Sequence, residues 1–349
     1  MILPENHSKE AINKIRNDSF KGKDPQLVEK ILKALTFLEL LAQEKISFTF
    51  KGGTCLLLLL EPPRRFSIDL DLIVTNRNEL LEVLERICKS NPMFTHFEED
   101  ERSESKIPKA HYKVFYISGV SGKEAYVLVD IIEENASYPT LANSKISPKY
   151  FKITEPIFSI ATPTIDGILG DKLTAFAPRT TGIKLGTGKD MEIAKQLFDV
   201  AALFDHATDL AQVHSSFSLV AEKEIKYRGL TISNNDVLVD SFEVAFIIAS
   251  RGTKEKEIYT ELLSGINKLK GYVFQNFGER EAHICAAKVA YLSLSLLKSN
   301  YSISKFNNYD LTKIEIKDPS YNTLNKIKKI SPEAFWYWSK AIDLNFTRA

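Results

Sequence analysis

The sequence predicts an α+β fold, in which an N-terminal domain with a mixed sheet and helices precedes a mainly helical C-terminal domain. Up to about residue 150, segments that alternate apolar and polar residues are interleaved with segments of helical spacing. Beyond that point only helical spacing is evident. We place the two domains at residues 1–155 and 156–349, since 349 residues are enough for two domains of ordinary size.

The predicted elements of the first domain follow from periodicity and from glycine and proline. Four strands alternate with three helices, and a compact mixed sheet is the expected result. The first elements are a helix over 25–45 with Pro25 in its first turn and a strand "ISFTFKGG". A buried helix "TCLLLLLE", which Pro62 and Pro63 stop, and a strand "FSIDLDLIV" follow. The last elements are a helix over 77–90 and the strands "AHYKVFYISGV" and "AYVLVDIIEE", which the turn "SGKE" joins.

The second domain is predicted to contain helices and no strand. Two helical segments, "TIDGILGDKLTAFA" and "GKDMEIAKQLFDVAALFDH", flank the loop "PRTTGIKLGTG". Further helical spacing covers about 209–225, 234–250, 254–276, 279–298 and 331–343.

Composition excludes several classes of protein. The net charge of +1 gives no general basic field, so any binding of nucleic acid depends on a local cluster of basic residues. Three separated cysteines without a CxxC pair argue against a disulfide framework or a structural zinc site. Neither a signal peptide nor an apolar run of membrane-spanning length is present. We therefore expect a soluble, cytoplasmic protein with no membrane partner.

Asp69 and Asp71 lie in an otherwise apolar strand, where alternation places both side chains on one face. Two neighbouring carboxylates repel each other unless a cation neutralises them or one keeps a proton. Asp130, in the apolar strand "VLVDII", can share that face. The three carboxylates predict a Mg²⁺ site, because Mg²⁺ takes oxygen ligands and accepts substrate phosphates. The alternative is a polar strand face open to solvent.

Gly52, Gly53 and Thr54 form a predicted turn between a strand and a helix, 16 residues before the aspartates. Glycine lets a ligand approach the backbone closely, and the first N–H groups of a helix can face a phosphate. A glycine pair alone is a weak signal, but together with the aspartates it indicates a nucleotide site.

These motifs resemble those of the nucleotidyltransferase superfamily related to DNA polymerase β, and more closely those of AbiEii-type nucleotidyltransferases, many of them type IV toxin–antitoxin toxins. The resemblance covers about residues 45–205. "GGTCL" and "RFSIDLD" match the first two family motifs, and "GDKLTAFAPR" matches a third, with Asp171 where Glu is more usual. "KQLFDVAAL" matches the fourth through Lys195 and Asp199, with Gln196 at the position of its first aspartate.

The resemblance implies an enzyme that transfers a nucleoside monophosphate from an NTP to an acceptor hydroxyl. Asp69, Asp71 and Asp130 would hold two Mg²⁺ ions, and Lys172 would bind phosphate. Asp199 would orient Lys172 or contact the nucleotide. Arg65 would hold Ser67 or a phosphate, or alternatively pair with a surface carboxylate. The implied nucleotide-binding residues are Gly52, Gly53, Thr54, Arg65, Ser67, Lys172, Arg179, Lys195 and Asp199.

Three functions remain open on the sequence. The first is modification of RNA, with tRNA 3′ ends implied by some relatives, by a toxin whose cognate antitoxin is encoded nearby. The second is modification of a protein or small molecule, and the third is a non-catalytic nucleotide-binding module. We assign acceptor binding to the helical domain, with these lysines as candidate phosphate contacts: Lys184, Lys189, Lys195, Lys326, Lys328 and Lys329.

Histidines and tryptophans receive structural interpretations. His96, His111, His206, His214 and His283 lack the spacing of metal ligands. Trp336 and Trp338 are expected to pack within a helix, with a base-stacking surface as the alternative.

Overall fold

The computed structural model describes residues 1–101, 108–253 and 255–344. The chain folds as two compact units. The first comprises residues 1–136 and 140–164, and the second comprises residues 137–139 and 165–349. The first unit contains a mixed sheet with helices and the second is helical, so the predicted α+β class is confirmed.

A seven-stranded sheet forms the centre of the first unit, within the part of the chain that the structure describes. The strands lie in the order β3-β4-β5-β2-β1-β7-β6. The pairs β2–β5 and β1–β7 are parallel and the others are antiparallel. The strands are β1 (Phe48–Lys51), β2 (Leu70–Val74), β3 (Phe97–Glu99), β4 (Lys109–Ile117), β5 (Glu124–Glu133), β6 (Leu141–Lys145) and β7 (Ser159–Pro163).

The helices of the first unit are α1 (Lys9–Ser19), α2 (Pro25–Gln43), α3 (Gly52–Leu59) and α4 (Arg77–Ser90), with a 3₁₀ turn at Pro4–His7. Asp24 and Asn76 cap α2 and α4, since each side chain accepts a hydrogen bond from a backbone N–H of the first turn. The predicted helices over 25–45 and 77–90 are therefore confirmed.

Three strands and one helix were not predicted from the sequence. The edge strands β3 and β6 are short and polar, and they bury no residue, so neither produces an apolar alternation. Strand β7 lies beyond residue 155, where only helices were expected, and it belongs to the sheet because it pairs with β1 and β6. In α1 only Ile12 is buried, which leaves little apolar periodicity to recognise.

One face of the sheet is covered by α2 and α4. Alternate residues of β4 and β5 on this face are buried, and Tyr112, Tyr116 and Val129 are at most 1% exposed. Lys33 of α2 lies over the Tyr116 ring, and Arg77 of α4 donates a hydrogen bond to the Tyr112 hydroxyl. The side chains at the intervening positions of β4 and β5 therefore point to the opposite face of the sheet.

The second unit confirms the helical prediction for the C-terminal half. Its helices are α5 (Ile165–Ala175), α6 (Asp190–Phe204), α7 (Leu210–Arg228), α8 (Asn234–Ala249), α9 (Lys256–Leu269), α10 (Glu279–Leu297) and α11 (Pro332–Asp343), with a 3₁₀ segment at Asn322–Ile327. Helix α10 is buried along most of its length. Trp338 is fully buried against Phe242 and Phe246, and Trp336 is 4% exposed, so both tryptophans pack as predicted.

No helix in the described residues has both the length and the apolar character that a membrane crossing requires.

Candidate active site

Four polar residues form a row across adjacent strands of the sheet. Asp71 of β2 lies opposite Asp130 of β5 in the parallel pairing, and opposite Lys51 of β1 in the antiparallel pairing. On the far side of β5, Asp130 lies opposite His111 of β4. Residues directly opposite on neighbouring strands share a face, and the strands are about 4.8 Å apart. Asp71 and Asp130 therefore share one face, as the sequence predicts.

His111 is bonded to the predicted third carboxylate. Its Nδ1 lies 2.7 Å from Oδ1 of Asp130, and the two side chains are 19% and 26% exposed. The hydrogen bond fixes the direction of the Asp130 carboxylate. Neither His111 nor Lys51 was predicted in the site, because neither belongs to a recognisable motif.

The row lies on the face of the sheet opposite α2 and α4. Tyr112 follows His111 and Val129 precedes Asp130 in the sequence. Both are buried on the face that α2 and α4 cover. Lys51, Asp71, His111 and Asp130 are instead only partly buried. The carboxylates are thus held on rigid strands and still reach solvent, which is what binding of an incoming ligand requires.

Asp69 lies outside the strand. Strand β2 begins at Leu70, so the predicted strand "FSIDLDLIV" is shorter than expected, and residues 66–69 precede it. Asp69 is partly buried and stands two positions before Asp71. Its participation in the site stays a prediction.

Gly52 and Gly53 begin α3, directly after β1, and both pack against site residues. A Cβ atom on Gly52 would overlap with Oδ2 of Asp71 and lie 2.5 Å from its Cγ. A Cβ atom on Gly53 would lie 2.5 Å from Oγ of Ser67 and 2.8 Å from Nη2 of Arg65. Gly52 also has a φ of +77°, which L-residues rarely adopt. Gly52 is required by its φ and by close packing against Asp71, whereas a side chain at position 53 would have to displace the ends of the Ser67 and Arg65 side chains.

Thr54 and Arg65 are both buried, whereas a residue that binds a ligand at the surface would be exposed. Thr54 is fully buried, and its hydroxyl has no hydrogen-bond partner among the described residues. Arg65 is 6% exposed, and its Nη1 donates to the carbonyl oxygen of Phe66 at 2.8 Å. Arg65 thus braces the segment that carries Ser67.

Lys172 lies in the second unit, on α5, and is held by two residues of α6. Its Nζ lies 3.2 Å from Oδ2 of Asp199 and donates to Oε1 of Gln196 at 3.2 Å. The side chains of Lys172 and Asp199 are 10% and 1% exposed. Gln196, where the family motif has an aspartate, therefore still supplies an oxygen acceptor to Lys172.

The other residues predicted in the helical unit have local partners. The Arg179 guanidinium pairs with Glu243 at 3.2 Å and with Glu255. Nζ of Lys195 lies 2.8 Å from Oε1 of Glu192. Asp171 accepts a hydrogen bond from the Tyr138 hydroxyl at 2.5 Å. Nucleotide binding by Arg179 and Lys195 stays a prediction.

The oxygen donors of the row suit a magnesium ion that arrives with its substrate. Within the described ranges, no three His, Cys, Asp or Glu side chains converge as a preformed metal cage would require. Mg²⁺ keeps several waters, and one or two carboxylates plus substrate phosphates commonly complete its coordination. Asp71 and Asp130 fit that mode of binding, together with Gly52 and Gly53 at the start of α3, here called the glycine cradle.

Several solved structures resemble this chain at low identity. JHP933 from Helicobacter pylori is 17% identical, with a TM-score of 0.48, over 80% of this chain and 94% of that one. A second structure from H. pylori, described as a candidate nucleotidyltransferase, is 17% identical, with a TM-score of 0.46, over 78% of this chain and 94% of that one. An antigenic nucleotidyltransferase-like protein from Paracoccidioides brasiliensis is 14% identical, with a TM-score of 0.38, over 58% and 91%.

No curated protein is matched by this sequence. The family model described as "Nucleotidyl transferase AbiEii toxin, Type IV TA system" matches residues 36–263, more than half of the chain. The match includes the glycine cradle, Lys172, Asp199 and the row of Lys51, Asp71, Asp130 and His111, here called the carboxylate row. The chain therefore belongs to the AbiEii family of type IV toxin–antitoxin toxins, and it is a nucleotidyltransferase.

Proposed function

We propose that this nucleotidyltransferase moves a nucleoside monophosphate from an NTP to a hydroxyl group of RNA, with tRNA as the first candidate, in a Mg²⁺-dependent reaction. The observation that carries the proposal is the alignment of Asp71 and Asp130 on adjacent strands, with Gly52 packed against Asp71. Two carboxylates on rigid strands, open to one side, provide a site for a cation bound to phosphate.

Two Mg²⁺ ions, when bound, would neutralise charge on the reacting phosphate and on the leaving pyrophosphate. The side chains of the protein would hold these ions and the substrate in position. Asp71 and Asp130 are the proposed metal ligands, with Asp69 as the third, and His111 fixes the carboxylate of Asp130. Because phosphoryl transfer depends mainly on positioning and electrostatics, rigid placement of these groups accounts for most of the expected rate.

Lys172 is the proposed phosphate ligand. Its ammonium group is held between Asp199 and Gln196, and this arrangement fixes its position. Asp199 is then a positioning residue for Lys172, one of the two roles left open by the sequence.

The RNA acceptor is supported by basic residues that remain exposed in the helical unit. Of the six candidate lysines, Lys195 is paired with Glu192, and Lys328 donates to the carbonyl oxygens of Thr312 and Ile314. Lys184, Lys189, Lys326 and Lys329 are exposed and stay candidates for phosphate contacts. Family membership supports an antitoxin partner as well.

The test is to incubate the purified protein with Mg²⁺ and each α-labelled NTP, in the presence of total RNA, of protein extract or of no acceptor. Label in a tRNA-sized band is the expected result. Label found only in protein would overturn the RNA acceptor in favour of a protein acceptor. No transfer to any acceptor from any NTP would favour a non-catalytic module.

A further inference from the structure

A cavity of about 500 Å³ lies in the helical unit, where the end of α8, the first turn of α10 and the 3₁₀ segment meet. None of the residues proposed for metal or NTP binding lines it, although Lys326, a candidate contact to acceptor phosphate, does. The volume is in the range of pockets that hold small-molecule ligands, about 300–1,000 Å³. The cavity is therefore large enough for a mononucleotide.

Positive charge predominates in the lining. Arg251, Arg280 and Lys326 line the cavity, together with one carboxylate, Glu279. The carboxylate is already engaged, because Arg251 Nε lies 3.0 Å from it and the Tyr259 hydroxyl donates to it at 2.9 Å. Arg280 and Lys326 are exposed, and neither has an ion-pair partner among the described residues. Two cations are thus left to bind an anion.

One wall of the cavity is apolar and contains an unsatisfied polar atom. Ile327 is 8% exposed and Ile330 is 57% exposed, so both a buried and an open apolar surface are available. His283 is 4% exposed, and its Nε2 has no hydrogen-bond partner in the described part of the chain, although Glu279 lies 3.8 Å away. Burial lowers the pKa of His283, so the ring adds no charge at neutral pH.

We infer that this cavity binds a nucleotide, with its phosphate on Arg280 and Lys326 and its base against Ile327 and Ile330. Arginine and lysine recognise phosphate through charge-assisted hydrogen bonds, and an aliphatic wall suits the face of a base. Glu279 does not exclude the anion, because Arg251 offsets its charge. The nucleotide is either free or the end of an RNA chain, and the inference does not depend on nucleotide transfer.

The experiment measures binding of fluorescent AMP to the full-length protein by anisotropy, in EDTA, so that no divalent cation supports binding elsewhere. Arg280→Ala/Lys326→Ala is compared with Lys313→Ala/Lys317→Ala, which removes two exposed cations that do not line the cavity. Thermal melting of each variant checks its fold. We expect the first variant to bind about a hundredfold more weakly, since two charge-assisted contacts are lost, and the second to bind like wild type.

Further arms identify the source of the nucleotide and the place of binding. Unlabelled AMP, GMP, CMP, UMP, inorganic phosphate and a short RNA compete for the probe. An RNA that competes better than every mononucleotide indicates an RNA end, and equal competition indicates a free nucleotide. Acetylation followed by mass spectrometry should show that AMP protects Lys326 but not Lys317. Absence of saturable AMP binding, or equal loss in both double variants, would overturn the inference.

Discussion

The Asp71 carboxylate fills the space beside Gly52 that any larger residue would need. A Cβ atom on Gly52 would lie 2.5 Å from Cγ of Asp71 and would overlap with Oδ2, and the φ of Gly52 is +77°. The glycine cradle and the carboxylate row are therefore one packed arrangement. A residue larger than glycine at position 52 would therefore displace the Asp71 carboxylate from the row.

Gly52→Ala should abolish nucleotide transfer, because the new methyl group displaces the Asp71 carboxylate. The matched control is Gly122→Ala, since Gly122 has a φ of +68° and a Cβ atom added there would meet nothing within 4 Å. The control should lose only about 1–2 kcal/mol of stability and keep its activity. Transfer assays and urea unfolding measure both effects. Equal activity of the two variants would show that Asp71 tolerates displacement.

His111→Ala should lower the rate of transfer about tenfold, because Asp130 loses the hydrogen bond that directs its carboxylate. His111→Asn keeps a donor near the position of Nδ1 and should recover most of the rate. A titration of activity against Mg²⁺, with Mn²⁺ binding followed by electron paramagnetic resonance, separates weaker metal binding from misfolding. Unchanged metal binding and rate in the alanine variant would remove His111 from the site.

Lys172→Met should destabilise the protein by about 3–5 kcal/mol, because it leaves the Asp199 carboxylate buried without its cation. Lys172→Met/Asp199→Asn should recover most of that stability, since both charges of the pair are then removed. Transfer should stay absent in both variants if Lys172 binds phosphate. Chemical denaturation and labelled NTP incorporation give the two readouts. Activity restored in the double variant would mean that Lys172 serves stability alone.

Asp240 should make stability depend on pH. Burial raises the pKa of Asp240 to about 6, although the Thr180 hydroxyl and the Arg179 backbone N–H donate hydrogen bonds to it. The folded state therefore holds this proton more tightly than the unfolded chain, whose pKa is about 3.9. The associated stability is present below pH 4 and is lost as the pH rises through about 6.

The expected loss from Asp240 is about 2–3 kcal/mol, from a pKa difference of about two units. Urea unfolding of wild type and Asp240→Asn between pH 4 and 7.5 measures it, and the variant should show a smaller decline. If the two curves run parallel, the Asp240 carboxylate does not titrate in this range.

Sequence periodicity predicted the features that depend on regular burial. Helices α6, α8 and α10 bury one or more complete faces, so their apolar spacing is visible. Alternation in "VLVDII" placed Asp130 on the face of Asp71, and the pairing of β2 with β5 agrees. Strands β3 and β6 were not predicted, because edge strands without buried residues have no apolar alternation.

The role of His111 was not predicted, because the spacing of histidines in the sequence indicates no site. Only the pairing of β4 with β5 shows that His111 lies opposite Asp130. The role of Gln196 was not predicted, because a motif specifies residue types. Lys172 needs only an oxygen acceptor, which glutamine supplies as well as aspartate does.

The most direct test of the carboxylate row is transfer of labelled NMP to total RNA by wild type and by Asp71→Asn. Glu124→Gln is the control, since it neutralises an exposed carboxylate on β5 outside the row. We predict labelled RNA with wild type and with Glu124→Gln, and none with Asp71→Asn, at similar melting temperatures. Wild-type transfer by a folded Asp71→Asn protein would contradict the proposal that Asp71 holds the metal and nucleotide.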